Sequence, residues 1–189
     1  MKPKKELIHL PINCKHMKKL LAFILICLSA AEGKAQLSKA ETISYLNSRL
    51  AETRDLSITW GKISYTISNT VFAMSTKYKN KITFSFDRKF SDGGSDRLVR
   101  TFDPTHIVDV VPGEVIPNDA VGFVRINLIG ETFISWQKTT GLPERYTYQN
   151  YFTFPFLIAD RINLERVSKA LLHLKKLYIE SKPRDPFLN

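Results

Sequence analysis

The sequence predicts an α+β domain: a strongly bent antiparallel sheet, or small barrel, of about seven strands, with an N-terminal helix and a packed C-terminal helix. Three observations carry this. Apolar residues recur at helical spacing after Ser38, the period falls to two from Leu56 onward, and it returns to three and four between Leu164 and Tyr178.

The first helix is expected over about residues 39–53. Ser38 and Glu41 have the spacing of a capping box, in which the serine oxygen accepts the N3 amide and the glutamate bonds back to the cap amide. Ile43, Leu46 and Leu50 form the apolar stripe, with Tyr45 beside it. Strands are expected over 56–67 and 70–78, with a turn at Ser68-Asn69, and over 81–87, where Ile82, Phe84 and Phe86 alternate with Thr83 and Ser85. Residues 88–104, containing Ser91-Asp92-Gly93-Gly94-Ser95-Asp96, read as an exposed loop. Strands follow over 105–111, over 121–128 and 132–138 as a hairpin joined near Gly130-Glu131, and over 146–154, where Pro155 should end the ladder. Asp160 or Asn163 is expected to cap the last helix, whose stripe is Leu164, Val167, Leu171, Leu174 and Tyr178, widened by Ala170 and Leu177. Pro183 and Pro186 stop its continuation.

Ahead of this domain lies a segment of different character. Lys15, Lys18 and Lys19 surround Met17, Leu20 to Leu28 is an uncharged run of nine apolar residues, and Ser29 to Ala35 is mostly small. That order of basic start, short apolar middle and small-residue end is that of a secretory signal peptide. The run is too short to span a bilayer, which takes about 20 residues. Gly33 and Ala35 sit at −3 and −1 for cleavage before Gln36. The expected organisation is therefore 1–35 as extension and cleaved signal, 36–182 as one globular domain and 183–189 as a tail. A lipid anchor fits less well, because Cys27 lies inside the apolar run after the bulky Ile26.

Composition then bounds the chemistry. The full chain carries a net charge of +10, but seven lysines and two glutamates precede Gln36, leaving 21 basic and 16 acidic residues and a net charge of +5. No lysine and arginine run interleaved with aromatics suggests a nucleic-acid face. Cys14 and Cys27 both lie ahead of Gln36, so the domain has no disulfide, thiol nucleophile or thiolate metal site. Its histidines are His106 and His173, and neither has a nucleophile at an informative spacing. Asp103, His106 and Asp109 form the one nearby set of metal-ligand types, yet in an extended strand His106 would face away from both aspartates. Asp92 to Asp96 lacks the ligand spacing of an EF-hand loop. No catalytic, cofactor-binding or metal-ligating residue is assigned.

The succession of strands from Leu56 to Phe154, followed by Phe154-Pro155-Phe156 and the helix containing Val167-Ser168-Lys169-Ala170-Leu171-Leu172-His173-Leu174-Lys175-Lys176-Leu177, resembles the pleckstrin-homology-like superfold. The last helix and the trailing Pro186-Phe187 also resemble the end of exported bacterial domains of uncharacterised role. The resemblance covers about two thirds of the chain and implies a domain that binds lipid headgroups, peptides or proteins. Its inositol-phosphate site is not carried over: Lys62, Lys77, Lys79 and Lys81 flank the early turns without a tight basic pattern.

The remaining feature is aromatic. Trp136, Tyr146, Tyr148 and Tyr151 belong to an aromatic cluster for which core packing is the first expectation, and they form the candidate interaction patch if one of its faces meets solvent. The leading expectation is an exported, non-enzymatic domain, periplasmic or extracellular, that binds a protein or an extended ligand without a cofactor. The competing readings are a hydrolase or other enzyme whose site spacing does not reveal, and a membrane-surface binder using Lys169, Lys175 and Lys176. These lysines do not converge on one helix face, so membrane-surface binding is expected to be weak or absent. Expression in a secreting bacterium should yield a protein beginning at or near Gln36 by mass spectrometry. Recovery of an intact Cys27-containing N-terminus from the exported fraction would defeat the signal-peptide reading.

Overall fold

The computed structural model describes residues 36–60, 62–113, 120–130, 133–139, 142–160 and 162–182. The chain divides into Met1–Gln36 and Leu37–Asn189, and the fold below belongs to the second unit. The expected signal segment and the 183–189 tail lie outside the described residues.

Helix α1 spans Lys39–Ala51 and starts as its sequence dictates. The Glu41 amide donates to Ser38 Oγ at 3.3 Å, and the Ser38 amide donates to Glu41 Oε2 at 2.7 Å. The Ser38 amide and hydroxyl hold the Glu41 carboxyl below its ordinary pKa. Thr42, Leu46 and Leu50 point into the core.

Strands β1 (Ser57–Trp60), β2 (Ile63–Met74), β3 (Ile82–Phe90) and β4 (Ser95–Phe102) follow. A 3₁₀ turn at Pro104–His106 leads into β5 (Ile107–Pro112), then β6 (Val121–Leu128), β7 (Phe133–Thr139), β8 (Arg145–Gln149) and β9 (Tyr151–Leu157). The strands form two antiparallel sheets. The larger has the order β1-β2-β3-β4-β7-β8 and the smaller β5-β6-β9. Helix α2, Asn163–Glu180, buries Val167, Leu171, Leu174 and Tyr178.

The α+β class and both helices agree with the sequence reading. The strand count and the barrel do not: nine strands are described, in two sheets, and no pairing among the described residues closes them into a barrel. The single strand expected over 56–67 breaks before Ile63, and β2 runs straight through the expected Ser68-Asn69 turn. That site is a bulge instead. The β2–β3 register shifts between Ser68 and Val71, Asn69 takes a positive φ of 49°, and its side chain donates to Asp87 Oδ2 at 2.7 Å.

The 88–104 loop is also corrected. Residues 91–94 turn, β3 and β4 pair on either side of them, and the chain leaves β4 only at Asp103. Gly93 supplies the φ of +90° that the turn requires, and Asp92 Oδ1 accepts the Gly94 amide at 2.9 Å. The expected hairpin of 121–128 with 132–138 does not form. β6 pairs with β5 and β9, while β7 pairs with β4 and β8. The expected strand over 146–154 is two strands in different sheets, parted at Asn150. Pro155 does not end the ladder but lies within β9 opposite Phe123, tolerated because β9 is an edge strand. Neither expected residue caps α2. Ile162 is its N-cap; Asp160 Oδ1 accepts the Ile162 amide, and buried Asn163 turns inward to donate to the Leu157 carbonyl.

The edge of β2 beyond β1 is closed by a side chain. Asn47 on α1 donates to the Phe72 carbonyl at 2.6 Å and accepts the Phe72 amide at 2.9 Å, as a neighbouring strand would. The helices also meet each other: Lys39 lies 4.2 Å from the centroid of the Tyr178 ring and donates to Ser181 Oγ. Leu171 is fully buried at this junction of helix and sheet. Leu171→Ala should cost roughly 2–5 kcal/mol in chemical denaturation. A melting temperature within about a degree or two of wild type would show that α2 does not pack this way.

Candidate functional site

The sheet registers put alternate residues of β3 and β4 on one face, and that face changes character along its length. Phe84 and Phe86 on β3 are followed by Arg88; Phe102 on β4 is preceded by Arg100, Leu98 and Asp96. The apolar end lies under the helices and β9. The charged end opens into a cleft of about 560 Å3 between the two sheets. The larger sheet gives it Ile63, Tyr65, Ile67, Phe86, Arg88 and Arg100, and the smaller closes it with Phe123, Thr153 and Pro155. That volume is within the range of small-molecule sites, about 300–1,000 Å3.

Two guanidinium groups stand in this cleft. Arg88 is opposite Asp96 in register and grips it bidentately, Nε to Oδ1 at 2.8 Å and Nη2 to Oδ2 at 2.6 Å. Gln137 Nε2 donates to the same Oδ2 at 2.7 Å. Asp96 is buried, and such a carboxylate is stable there only because its lone pairs are met. The Arg88 plane also lies over Tyr65 at 5.5 Å and Phe90 at 5.2 Å. Arg100 Nη1 donates to the Thr153 carbonyl at 3.0 Å, tying the larger sheet to β9. Its guanidinium faces Phe86 at 5.3 Å and Phe152 at 6.0 Å. Burial, reinforced by the charge of Arg88, pushes the Arg100 pKa down to about 10. It is still a cation at neutral pH, so the described lining carries two positive charges against one negative.

The candidate aromatic patch is only partly assembled. Tyr146 and Tyr148 sit on β8, both 63% exposed, on the face of the larger sheet away from the cleft. Trp136 is opposite Tyr146 in the β7–β8 register; its side chain lies outside the described residues. Tyr151 belongs to the other sheet, stacked under Arg125 at 3.9 Å. Phe152, Phe154 and Phe156, neighbours in sequence, are core. Core packing thus takes the phenylalanines and leaves the tyrosines outside.

The other residues weighed from sequence have local tasks. Asp103 Oδ1 accepts the Thr105 amide and hydroxyl at the 3₁₀ turn, Asp109 Oδ1 accepts from Asn127, and His173 Nε2 is 2.8 Å from the Leu37 carbonyl. His106 ends the 3₁₀ turn rather than beginning a strand. Among the described residues no group of three His, Cys, Asp or Glu could hold a metal ion. No described helix is long and apolar enough to cross a membrane. Lys169 and Lys176 pair with Glu165 and Glu180 on their own helix.

Sequence reasoning missed Arg88, Asp96 and Arg100 because all three fell in the expected loop. A signal was present. Asp92-Gly93-Gly94 is a hairpin turn, and Asp96, Leu98, Arg100 and Phe102 alternate beyond it. Comparison with protein-family models, curated proteins and solved structures found no match.

Proposed function

We propose that this chain is an exported binding domain, periplasmic or extracellular, that holds an extended ligand in the cleft between its two sheets without chemically changing it. The observation that supports binding is the cleft itself: aromatic and aliphatic walls converging on a few fixed polar groups. The described polar groups there are suited to holding a ligand. Arg88, Asp96 and Gln137 are committed to one another, and no described lining residue is a histidine or cysteine that would activate a nucleophile. Export is supported by the segment from Lys15 to Ala35. The pleckstrin-homology-like reading of the fold belongs to the same proposal, supported by a C-terminal helix that follows the last strand and packs on the sheets.

The neutral fluorophore N-phenyl-1-naphthylamine tests this reading. It should bind the purified protein at one saturable site. Ile63→Asp, a change at an exposed position on the cleft rim, should weaken that binding roughly tenfold with no change in the circular dichroism spectrum. Turnover of ester, amide, glycoside or phosphomonoester substrates that Ile63→Asp abolishes would instead make the cleft an active site.

A further inference from the structure

We infer that β8 is a docking edge for a second copy of this chain: two β8 strands pair antiparallel about a two-fold axis at Thr147 and join two larger sheets into one. The inference concerns the outer end of the larger sheet and goes beyond the cleft, whatever the cleft holds.

Elimination among the sheet edges points to β8. An open edge invites another strand, and proteins close it with very short strands, bulges, proline or a covering group. The two sheets have β1, β8, β5 and β9 at their edges. β1 is four residues long, and where β2 runs past it Asn47 occupies the Phe72 backbone. β5 carries a register shift between Ile107 and Asp109 and ends in Pro112. On β9 the Thr153 and Leu157 carbonyls accept from Arg100 and Asn163, and Pro155 between them has no amide to offer. β8 has none of these devices. Its pairing with β7 is regular, its sequence holds neither glycine nor proline, and all five of its residues are exposed. Among the described residues no strand lies on its other side.

The strand is also complementary to itself, as a two-fold interface requires. With the axis perpendicular to the sheet every residue keeps its face, and the register centred on Thr147 sets all five residues of one β8 against all five of the other. Tyr146 of one copy then lies opposite Tyr148 of the other, Thr147 opposite Thr147, and Arg145 opposite Gln149. Aromatic and threonine pairs stabilise antiparallel strands, and no charge meets its like. The two Arg145 residues stand four positions apart along the ladder, about 14 Å, beyond the screening length of about 8 Å at physiological salt. Sliding the register by two residues brings Pro143 opposite Gln149, or sets Arg145 against Tyr151, which belongs to the other sheet. Exposure on both faces of β8 leaves room for the incoming strand.

Sedimentation equilibrium of the purified protein tests this. A five-residue strand pair is a small interface, so the protein should be monomeric at about 1 μM and largely dimeric by about 300 μM. Tyr146→Lys combined with Tyr148→Lys sets ammonium groups opposite one another at both tyrosine pairs and should keep the protein monomeric, with its circular dichroism unchanged. Tyr146→Glu combined with Tyr148→Glu should do the same, and mixing the two double variants should restore a dimer. Cross-linking reads the register. Under mild oxidation Thr147→Cys should give a disulfide-linked dimer above the background of the unsubstituted protein, and Arg145→Cys should not, because its own copy lies beyond the roughly 7 Å that a disulfide can bridge. The sedimentation of the unsubstituted protein decides even where a variant fails to fold. A protein that stays monomeric at about 300 μM would overturn the inference and leave the edge to a strand from a different protein. A dimer that survives both lysine changes, or that links as readily through Arg145→Cys as through Thr147→Cys, would overturn the β8 pairing.

Discussion

The structure depends on a seam of phenylalanine rings between its sheets. Phe72, Phe84 and Phe102 come from the larger sheet, Phe152 and Phe154 from β9, and all five are buried. Phe102 and Phe152 lie 4.8 Å apart between centroids, Phe84 and Phe154 5.4 Å, and Phe72 and Phe154 5.8 Å. Such rings contribute both large buried area and oriented contacts, about 0.5–1.5 kcal/mol per pair beyond burial. The domain has no disulfide to hold its sheets together, since both cysteines precede Gln36. Ring packing has to do that work.

The seam also fixes the cleft. On β3 the same face runs from Phe84 through Phe86 to Arg88, and on β4 from Phe102 to Arg100 and Asp96. Arg100 is level with Phe84 in the β3–β4 register, its plane against Phe86 and Phe152 and its Nη1 on the Thr153 carbonyl, and beyond Phe86 the same face passes to Arg88 and Asp96. The chain contributes a second tie at Asn150, where it leaves β8 for β9 and the Asn150 carbonyl accepts the Leu128 amide at 2.7 Å. Core and site are therefore two ends of one surface.

What the sequence made legible follows from where local rules decide. The capping box of Ser38 and Glu41 and the stripe of Val167, Leu171 and Leu174 are local patterns, and both helices form where these predict, although α2 starts without its expected cap. Alternation also marked most strands, but not β4, which lay in the expected 88–104 loop. Strand partnership was not. Nothing local in 121–128 and 132–138 says that they enter different sheets, because the choice is made by which face finds the seam. The site was lost for a related reason. Arg88, Asp96 and Arg100 look like loop residues until Phe84, Phe86 and Phe102, on the same faces, have a common core to enter. The aromatic-rich segment 146–156 divides instead: Tyr146 and Tyr148 stay exposed on β8, while Phe152 and Phe154 on β9 join the seam.

Native-state hydrogen exchange tests the seam most directly. If the rings bind the two sheets into one cooperative unit, the paired amides of β3 and β4 and those of β6 and β9 will exchange through the same global opening, with the same denaturant dependence. Exchange of the β6 and β9 amides through a separate opening, lower by more than about 2 kcal/mol while β3 and β4 stay protected, would contradict it.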